Sequence, residues 1–156
     1  MIRSVAIVGF VVVGIFLNLP RGVLGHGGHG FTAGEPGDPN KPFRVVTIEM
    51  REEGKKMSFA PSRVEAKVGE KIKFVIWNVG TYDHEFLLDS FAHNAKHKIV
   101  MQKYPDMEHD DPNGKTVKVA ESAEIFWKFT KKGTFEFACL RPGHYEAGMK
   151  GVMVVR

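Results

Sequence analysis

The chain has only one cysteine, Cys139, so it cannot form an internal disulfide. A chain of 156 residues can bury an adequate hydrophobic core without one. The sequence also lacks a block of basic residues and an internal repeat. Its lysines and arginines are interspersed with acidic residues, as in segment 52–56. This pattern excludes the usual signature of a nucleic-acid-binding surface and predicts an ordinary mixed surface.

The N-terminus has the composition of a secretory signal peptide. Arg3 precedes an apolar stretch, residues 5–19, and the small residue Gly25 ends the segment. No twin-arginine pair is present, so we expect residues 1–25 to direct Sec-type export to the periplasm and to be removed, leaving a protein that does not insert into the membrane. The alternative is an uncleaved anchor, although spanning a bilayer normally takes about 20 apolar residues. Cleavage would remove Arg3 and Arg21, lowering the formal net charge from +4 to +2.

Residues 26–42 are rich in glycine and proline, and we expect them to form a mobile arm before a single domain at 43–156. If cleavage follows Gly25, the free amine and imidazole of His26 could chelate copper together with His29. Short histidine-rich tracts suggest metal capture by composition alone, so a tail without specificity is the alternative.

Most of the domain has strand patterns. About eight short segments separated by Gly, Pro or charged turns predict an all-β sandwich or barrel of antiparallel character. These segments are 43–50, 57–68 with an interruption at Pro61, 71–79, 85–88, 116–119, 123–129, 134–138 and 151–155. Segment 89–114 is too long for an ordinary connection, so we expect an insertion that is functional or contains a short helix or a long loop.

Cys139, His144 and Met149 follow one another with four residues between neighbours. A thiol without a partner in an exported protein needs a special reason, and metal ligation is one. His84, just after the strand pattern at 71–79, supplies a second imidazole. Two imidazoles, a thiolate and a weak thioether match the needs of a copper ion that changes oxidation state. We therefore predict one copper site formed by His84, Cys139, His144 and Met149.

Two other uses of these residues are disfavoured. Structural zinc sites favour several thiolates and avoid thioethers. A catalytic Cys139 paired with His144 would need a low pKa and an exposed groove, and nothing nearby in the sequence suggests a substrate pocket. We expect no catalytic residues and no enzymatic activity.

From about Phe43 to Arg156 the chain resembles the cupredoxins, the small blue-copper proteins. The shared motifs are Asn78-x-Gly80-x3-His84, Phe137-x-Cys139, Pro142-Gly143-His144 and Met149-x-Gly151. The wide ligand loop is similar to that of rusticyanin and auracyanin. The His-Gly-rich N-terminus, His84-Glu85-Phe86 and the loop sequence 142–149 resemble periplasmic CopI-like cupredoxins linked to copper tolerance.

The resemblance implies a Greek-key sandwich with a type 1 site, in which His84, Cys139 and His144 are equatorial ligands and Met149 is axial. It also implies that His144 has a partly exposed ring edge near which a redox partner docks. Asp83 departs from the Asn or Ser that many members have, and an ionised carboxylate cannot donate a hydrogen bond. The hydrogen bonding around the first ligand, which tunes the colour and the reduction potential, therefore departs from that of these members.

Further histidines and methionines lie in the insertion. His93, His97 and Met101 are four residues apart and would share a helix face, with Met107 and His109 following. They could form a weaker second site for copper(I). The alternative is a helix that packs these side chains against the sandwich, because methionine commonly fills gaps in cores.

Two functions fit a copper site of this kind. One is copper tolerance, in which the protein sequesters, carries or oxidises copper in the periplasm. The other is one-electron transfer between redox partners. The extra histidines and methionines and the CopI-like features favour copper tolerance.

Overall fold

The computed structural model describes residues 30–156, so the predicted signal peptide (1–25), His26 and His29 lie outside the described residues. The described part of the chain forms eleven strands and one helix. They are β1 (Glu35–Pro36), β2 (Arg44–Glu53), β3 (Lys56–Ala60), β4 (Arg63–Ala66), β5 (Lys71–Asn78), β6 (His84–Asp89), α1 (Phe91–Lys103), β7 (Asp110–Asp111), β8 (Gly114–Val117), β9 (Ser122–Lys128), β10 (Gly133–Ala138) and β11 (Lys150–Val155). Among these residues, no helix is long and apolar enough to span a membrane.

The strands form two sheets. One has the order β1-β9-β5-β2-β3, and the other has the order β4-β11-β10-β6-β8-β7. Most neighbouring strands are antiparallel, whereas the pairs β2–β5 and β4–β11 are parallel. The predicted all-β fold is confirmed, and its hydrogen bonding is mixed rather than purely antiparallel.

Side chains along the strands alternate between buried and exposed positions, and the buried faces of the two sheets pack against each other. In β5, Ile72, Phe74 and Ile76 are fully buried, while the lysines between and before them are partly exposed. Such a period of two places every second residue on the core face. The strand pattern at 57–68 is divided at Pro61 as its interruption suggested, and its halves, β3 and β4, belong to different sheets.

An aromatic cluster fills the core beneath one end of the sandwich. The ring of Phe86 lies 5.7 Å from Phe59, 5.6 Å from Phe74 and 5.2 Å from Phe137, measured between centroids. Phe86 lies two residues after His84 in β6, and Phe137 lies two residues before Cys139. The predicted ligands therefore extend directly from strands that this cluster holds together.

The insertion contains the helix that the sequence led us to expect. Ser90 caps α1, because its hydroxyl accepts a hydrogen bond from the His93 backbone N–H at 3.2 Å. The helix ends at Lys103, just before Tyr104-Pro105, where the residue preceding proline disfavours helical geometry. Met101 is fully buried in a cluster with Leu87, Ala138 and Leu140, and Met107 packs against that cluster. The structure thus uses both methionines as packing residues.

Part of the predicted mobile arm is packed against the sandwich. Phe31 contacts the ring of Trp127 edge-on at 5.2 Å, and Ala33 is only 1% exposed. β1 then pairs with β9, with Glu35 opposite Lys128. Glycine and proline composition predicts mobility, but the apolar contacts and strand pairing fix residues 31–36 in this chain.

Candidate metal centre

Three of the predicted ligands meet at one end of the sandwich. His84 opens β6, Cys139 follows the last residue of β10, and His144 lies in the loop that leads to β11. β6 and β10 are antiparallel neighbours, with Leu87 opposite Ala138, so the start of one strand lies beside the end of the other. Strand pairing therefore brings together residues that are 55 positions apart in the sequence.

The donor atoms of these three side chains form a compact group. His84 Nδ1 is 3.0 Å from His144 Nδ1, which is 3.4 Å from Cys139 Sγ. The ligand atoms all lie within 4.8 Å of one another, and no other set of three His, Cys, Asp or Glu side chains in residues 30–156 meets that limit. His84 and Cys139 are fully buried, whereas His144 is partly exposed.

Backbone hydrogen bonds close the loop that carries Cys139, His144 and Met149, here called the ligand loop. The N–H of Cys139 donates to the carbonyl of Met149 at 3.1 Å, and the N–H of Met149 donates to the carbonyl of His144 at 3.1 Å. Gly143 and Gly148 have φ angles of 86° and 106°, which L side chains rarely adopt. Met149 is fully buried in the same core cluster as Cys139. The loop thus carries the fourth predicted ligand into the sandwich next to the cysteine.

The environment of Cys139 disfavours the thiolate form that a nucleophile needs. Burial raises the pKa of Cys139 to about 12, and the nearby Glu85 carboxyl acts in the same direction. Glu85 also donates its backbone N–H to Cys139 Sγ at 3.4 Å. A buried thiol that stays protonated at neutral pH does not have the low pKa and exposure of a catalytic cysteine.

Both histidines favour their neutral form. Burial, together with the neighbouring His84 and Arg141, lowers the pKa of His144 to about 4. Burial also lowers the pKa of His84, although Glu52 partly offsets this effect. Neutral imidazoles have a free lone pair at one nitrogen, which is the form that binds metals.

Glu52 is a site residue that sequence reasoning missed. Its carboxylate lies against His84 Nε2 and accepts a hydrogen bond from the Thr81 backbone N–H at 2.7 Å. Burial alone would raise the pKa of Glu52, but the hydrogen bonds from Thr81 and His84 outweigh it and lower the pKa. A Cβ at Gly80 would lie 2.2 Å from Glu52 Oε1, so any side chain at position 80 would displace the carboxylate from this position.

The turn before His84 is held by Asn78 and Asp83. The Asn78 amide donates to the Tyr82 carbonyl at 2.8 Å and to the Val117 carbonyl at 3.0 Å. Asp83 accepts a hydrogen bond from the Val119 backbone N–H at 3.0 Å. The carboxylate at position 83 therefore acts as an acceptor that joins two loops, while Asn78 supplies the donated hydrogen bonds.

The donor set fits copper. Two imidazole nitrogens and one thiolate sulfur, with a thioether on the same loop, form the set typical of copper sites that transfer electrons. A structural zinc site would be completed by further thiolates or imidazoles, and the described residues bring no fourth such side chain into the group.

The other histidines among residues 30–156 lie outside this group. His93 contacts Asp89, 3.2 Å from its Nδ1 atom. His97 and His109 meet each other, with their Nε2 atoms 3.0 Å apart. Met101 is buried in the apolar cluster, which agrees with the alternative that the helix packs these side chains against the sandwich.

Comparison with known proteins agrees with this geometry. Residues 46–156 match the family model of copper binding proteins of the plastocyanin/azurin family. The chain is 46% identical over 123 residues to the copper-resistant cuproprotein CopI of Rubrivivax gelatinosus, covering 79% of this chain and 73% of that protein. It is 32% identical over 157 residues to CopI of Pseudomonas aeruginosa, covering 82% and 84%.

Among solved structures, reduced auracyanin from Roseiflexus castenholzii has the same fold, with a TM-score of 0.60 and 24% sequence identity. The match covers 72% of this chain and 98% of auracyanin. The predictions of a cupredoxin sandwich and of copper as the metal are confirmed. The chain belongs to the plastocyanin/azurin family of copper-binding proteins, the cupredoxins.

Proposed function

We propose that this cupredoxin binds one copper ion at a type 1 site and acts in copper tolerance in the periplasm. The proposed ligands are His84, Cys139, His144 and Met149. The observation that carries the proposal is the convergence of two imidazole Nδ1 atoms and one thiol sulfur within 4.8 Å. Bound copper would supply one-electron chemistry by alternating between its two oxidation states.

The protein groups around the site have distinct roles. Glu52 holds the proton of His84 on Nε2, which leaves the lone pair of Nδ1 free for the metal. The Glu85 N–H stabilises negative charge on the Cys139 sulfur. The buried loop excludes water from the sulfur, while the partly exposed His144 remains accessible from solvent.

Copper tolerance is supported by the relatives, which carry the name copper-resistant cuproprotein. If tolerance is the role, deleting the gene should increase copper sensitivity, and the wild-type gene should restore growth. Unchanged copper sensitivity together with reduced respiratory or photosynthetic electron flow would instead support electron transfer.

The partly exposed His144, with Tyr82 57% exposed beside it, is the observation that favours electron transfer as a second function.

Replacing Glu52 by glutamine should weaken copper binding by about 10–100-fold, the usual effect of removing a carboxylate that orients a metal-bound histidine. The amide keeps the shape but lacks the charge that favours the Nε2–H form of His84. Competition with a copper chelator of known affinity measures the change. Glu53→Gln, at the neighbouring exposed position, is the matched control and should leave the affinity unchanged. Equal affinities for both variants would contradict this role.

Copper(II) binding at pH 7 should release about one proton per ion, because a thiol with a pKa of about 12 must become a thiolate. His144, with a pKa of about 4, is already neutral and releases none. Calorimetry in two buffers with different ionisation enthalpies measures the number of protons. Binding without proton release would mean that Cys139 is not a ligand.

The export assignment and the domain boundaries are also part of the proposal. Mass spectrometry of the mature protein should place its first residue at His26. The domain proposed at 43–156 is extended at its N-terminal side by the packed residues 31–36. We further propose that the chain is not itself an enzyme. The buried, protonated Cys139 supports this view, since it offers no accessible nucleophile.

A further inference from the structure

We propose that Tyr145 is a positioning residue for the copper ligand His144, and that its hydroxyl ties the ligand loop to helix α1. The connecting hydrogen bonds lead from Tyr145 through the buried carboxylate of Glu136 to the side chain of Asn94. The inference deepens the proposed function and rests on it, since it concerns the position of a proposed copper ligand. It makes the insertion that contains α1 a part of the metal centre.

Glu136 lies at the centre of this connection. It belongs to β10, three residues before Cys139, and is only 3% exposed. Its Oε1 atom accepts a hydrogen bond from the Tyr145 hydroxyl at 2.9 Å, and its Oε2 atom accepts one from the Asn94 amide at 3.1 Å. A buried oxygen that loses its donor costs free energy, so both hydrogen bonds are favoured. One oxygen therefore holds the ligand loop, and the other holds α1.

Asn94 provides the helix end of the connection. It lies inside α1 and is only 1% exposed. Asparagine is a weak helix former, because its side chain competes for backbone hydrogen bonds. Here its amide also donates to the backbone carbonyl of Glu136 at 3.4 Å. The contact with β10 thus explains why a poor helix former lies on the buried face of α1.

The ring of Tyr145 is held by other contacts besides its hydrogen bond. It packs against the apolar cluster that contains Met101 of α1. The ammonium groups of Lys98 and Lys150 lie 4.6 Å and 4.3 Å from its ring centroid, within the range of cation–π contacts. Because the hydroxyl is bound as well, the side chain has little freedom, and the backbone that it shares with His144 is restrained with it.

The restraint at Tyr145 reaches His144 through a tight turn of the backbone. The His144 N–H donates to the Arg141 carbonyl at 3.0 Å, and the Gly148 N–H donates to the Tyr145 carbonyl at 3.1 Å. Of the three side chains whose donor atoms converge, His144 alone is partly exposed. Packing in the core therefore fixes it less than it fixes the two buried ligands, and His144 depends more on support from the loop.

A second contact between α1 and the ligand loop is weaker. Lys98 Nζ lies 2.8 Å from Glu146 Oε1, but the two side chains are 29% and 55% exposed. Ion pairs at such exposed positions usually contribute little. We therefore assign the positioning to the buried hydrogen bonds of Glu136.

The first test uses the copper-free protein, so its result does not depend on the metal. Tyr145→Phe keeps the aromatic ring and removes only the hydroxyl. We expect the backbone order parameter at His144, measured by nuclear magnetic resonance relaxation, to fall clearly below the value of about 0.85 that is typical of rigid backbone. The order parameters of β10 should stay unchanged. A residue that only stabilised the fold would leave both values as they are.

The second test uses the copper-loaded protein. Tyr145→Phe should shift the visible absorption band and change the copper hyperfine coupling in electron paramagnetic resonance, because both respond to the position of His144. Copper affinity should fall roughly tenfold, the low end of the effect of removing hydrogen-bonded support from a metal ligand. Tyr104→Phe is the matched control, because Tyr104 is 60% exposed at the end of α1, and it should change none of these properties.

Glu136→Gln separates the hydrogen bonds from the charge. The new amide keeps an oxygen that accepts from Tyr145. Its nitrogen can donate to Asn94 Oδ1, which has no hydrogen-bond partner within the described part of the chain, once the Asn94 amide turns over. We therefore expect Glu136→Gln to keep the visible band and the order parameter at His144, and Glu136→Ala to resemble Tyr145→Phe. A Glu136→Gln protein that resembled Tyr145→Phe would contradict a role through hydrogen bonding.

Asn94→Ala tests the part played by α1. Combined with Tyr145→Phe, it should lower copper affinity by less than the product of the two single effects, because both act through one carboxylate. Effects that multiply would mean that the helix does not act through Glu136. An unchanged band and order parameter in folded Tyr145→Phe, or equal changes in Tyr104→Phe, would overturn the proposal. A wild-type protein without a visible band would instead refute the type 1 assignment, and the copper-free measurement would still decide whether Tyr145 restrains His144.

Discussion

A Cys139→Ser variant mixed with copper(II) should lack the strong visible absorption expected of the wild-type protein. That absorption arises from charge transfer between a thiolate and copper, and Cys139 is the only thiol in the chain. A serine hydroxyl is a harder ligand that stays protonated at neutral pH, so the variant should also bind copper far more weakly at this site. Visible spectroscopy during a copper titration measures both effects.

The variant must be folded for this result to be informative. Serine is close to cysteine in size, but the position is fully buried, so the unfolding temperature and far-ultraviolet circular dichroism should be compared with those of the copper-free wild type. Asp83→Asn is a useful comparison, because it changes a residue beside His84 while leaving all four proposed ligands. This variant should retain the visible absorption band, because it keeps the Cys139 sulfur as a copper ligand. A folded Cys139→Ser protein with an unchanged band would refute the site.

Replacing Phe86 by alanine should lower the free energy of unfolding by about 3–5 kcal/mol, the usual cost of truncating a buried phenylalanine. The ring is fully buried and packs against Phe59, Phe74 and Phe137, so its removal leaves a cavity between the two sheets. Urea unfolding of the copper-free protein measures the loss. Copper affinity should also fall, because Phe86 anchors the strand that begins at His84.

Phe91→Ala is the matched control, because Phe91 is 46% exposed at the start of α1. Surface substitutions usually change stability by no more than about 0.5 kcal/mol. If both variants lost the same stability, the aromatic cluster would not be the main support of this end of the sandwich.

The ligand loop could be predicted from the sequence because its ligands are close to one another along the chain. Cys139, His144 and Met149 lie within eleven residues, and their order and spacing already restrict the chemistry. His84 was predictable from the strand pattern before it. Glu52 was not, because only the parallel pairing of β2 with β5, which places Met50 opposite Asn78, brings it near the loop. Sequence patterns do not specify which strands become neighbours.

The histidines of the insertion also show that sequence spacing does not specify tertiary neighbours. A spacing of four residues correctly indicated a helix, and it suggested that His93, His97 and Met101 act together. Tertiary packing instead buried Met101 and placed His97 against His109, which is twelve positions away. The buried carboxylate of Glu85 beside His109 had no local signature, because it is one residue in a strand pattern.

The close approach of Glu52 to Gly80 has an evolutionary consequence. Because a single added carbon at position 80 would overlap the carboxylate, a replacement of Gly80 would push Glu52 out of its position beside His84. A lineage that replaces Gly80 would then orient this histidine in another way. Residues 28 positions apart in the chain are thus expected to covary, which would not be apparent from the conservation of the copper ligands alone.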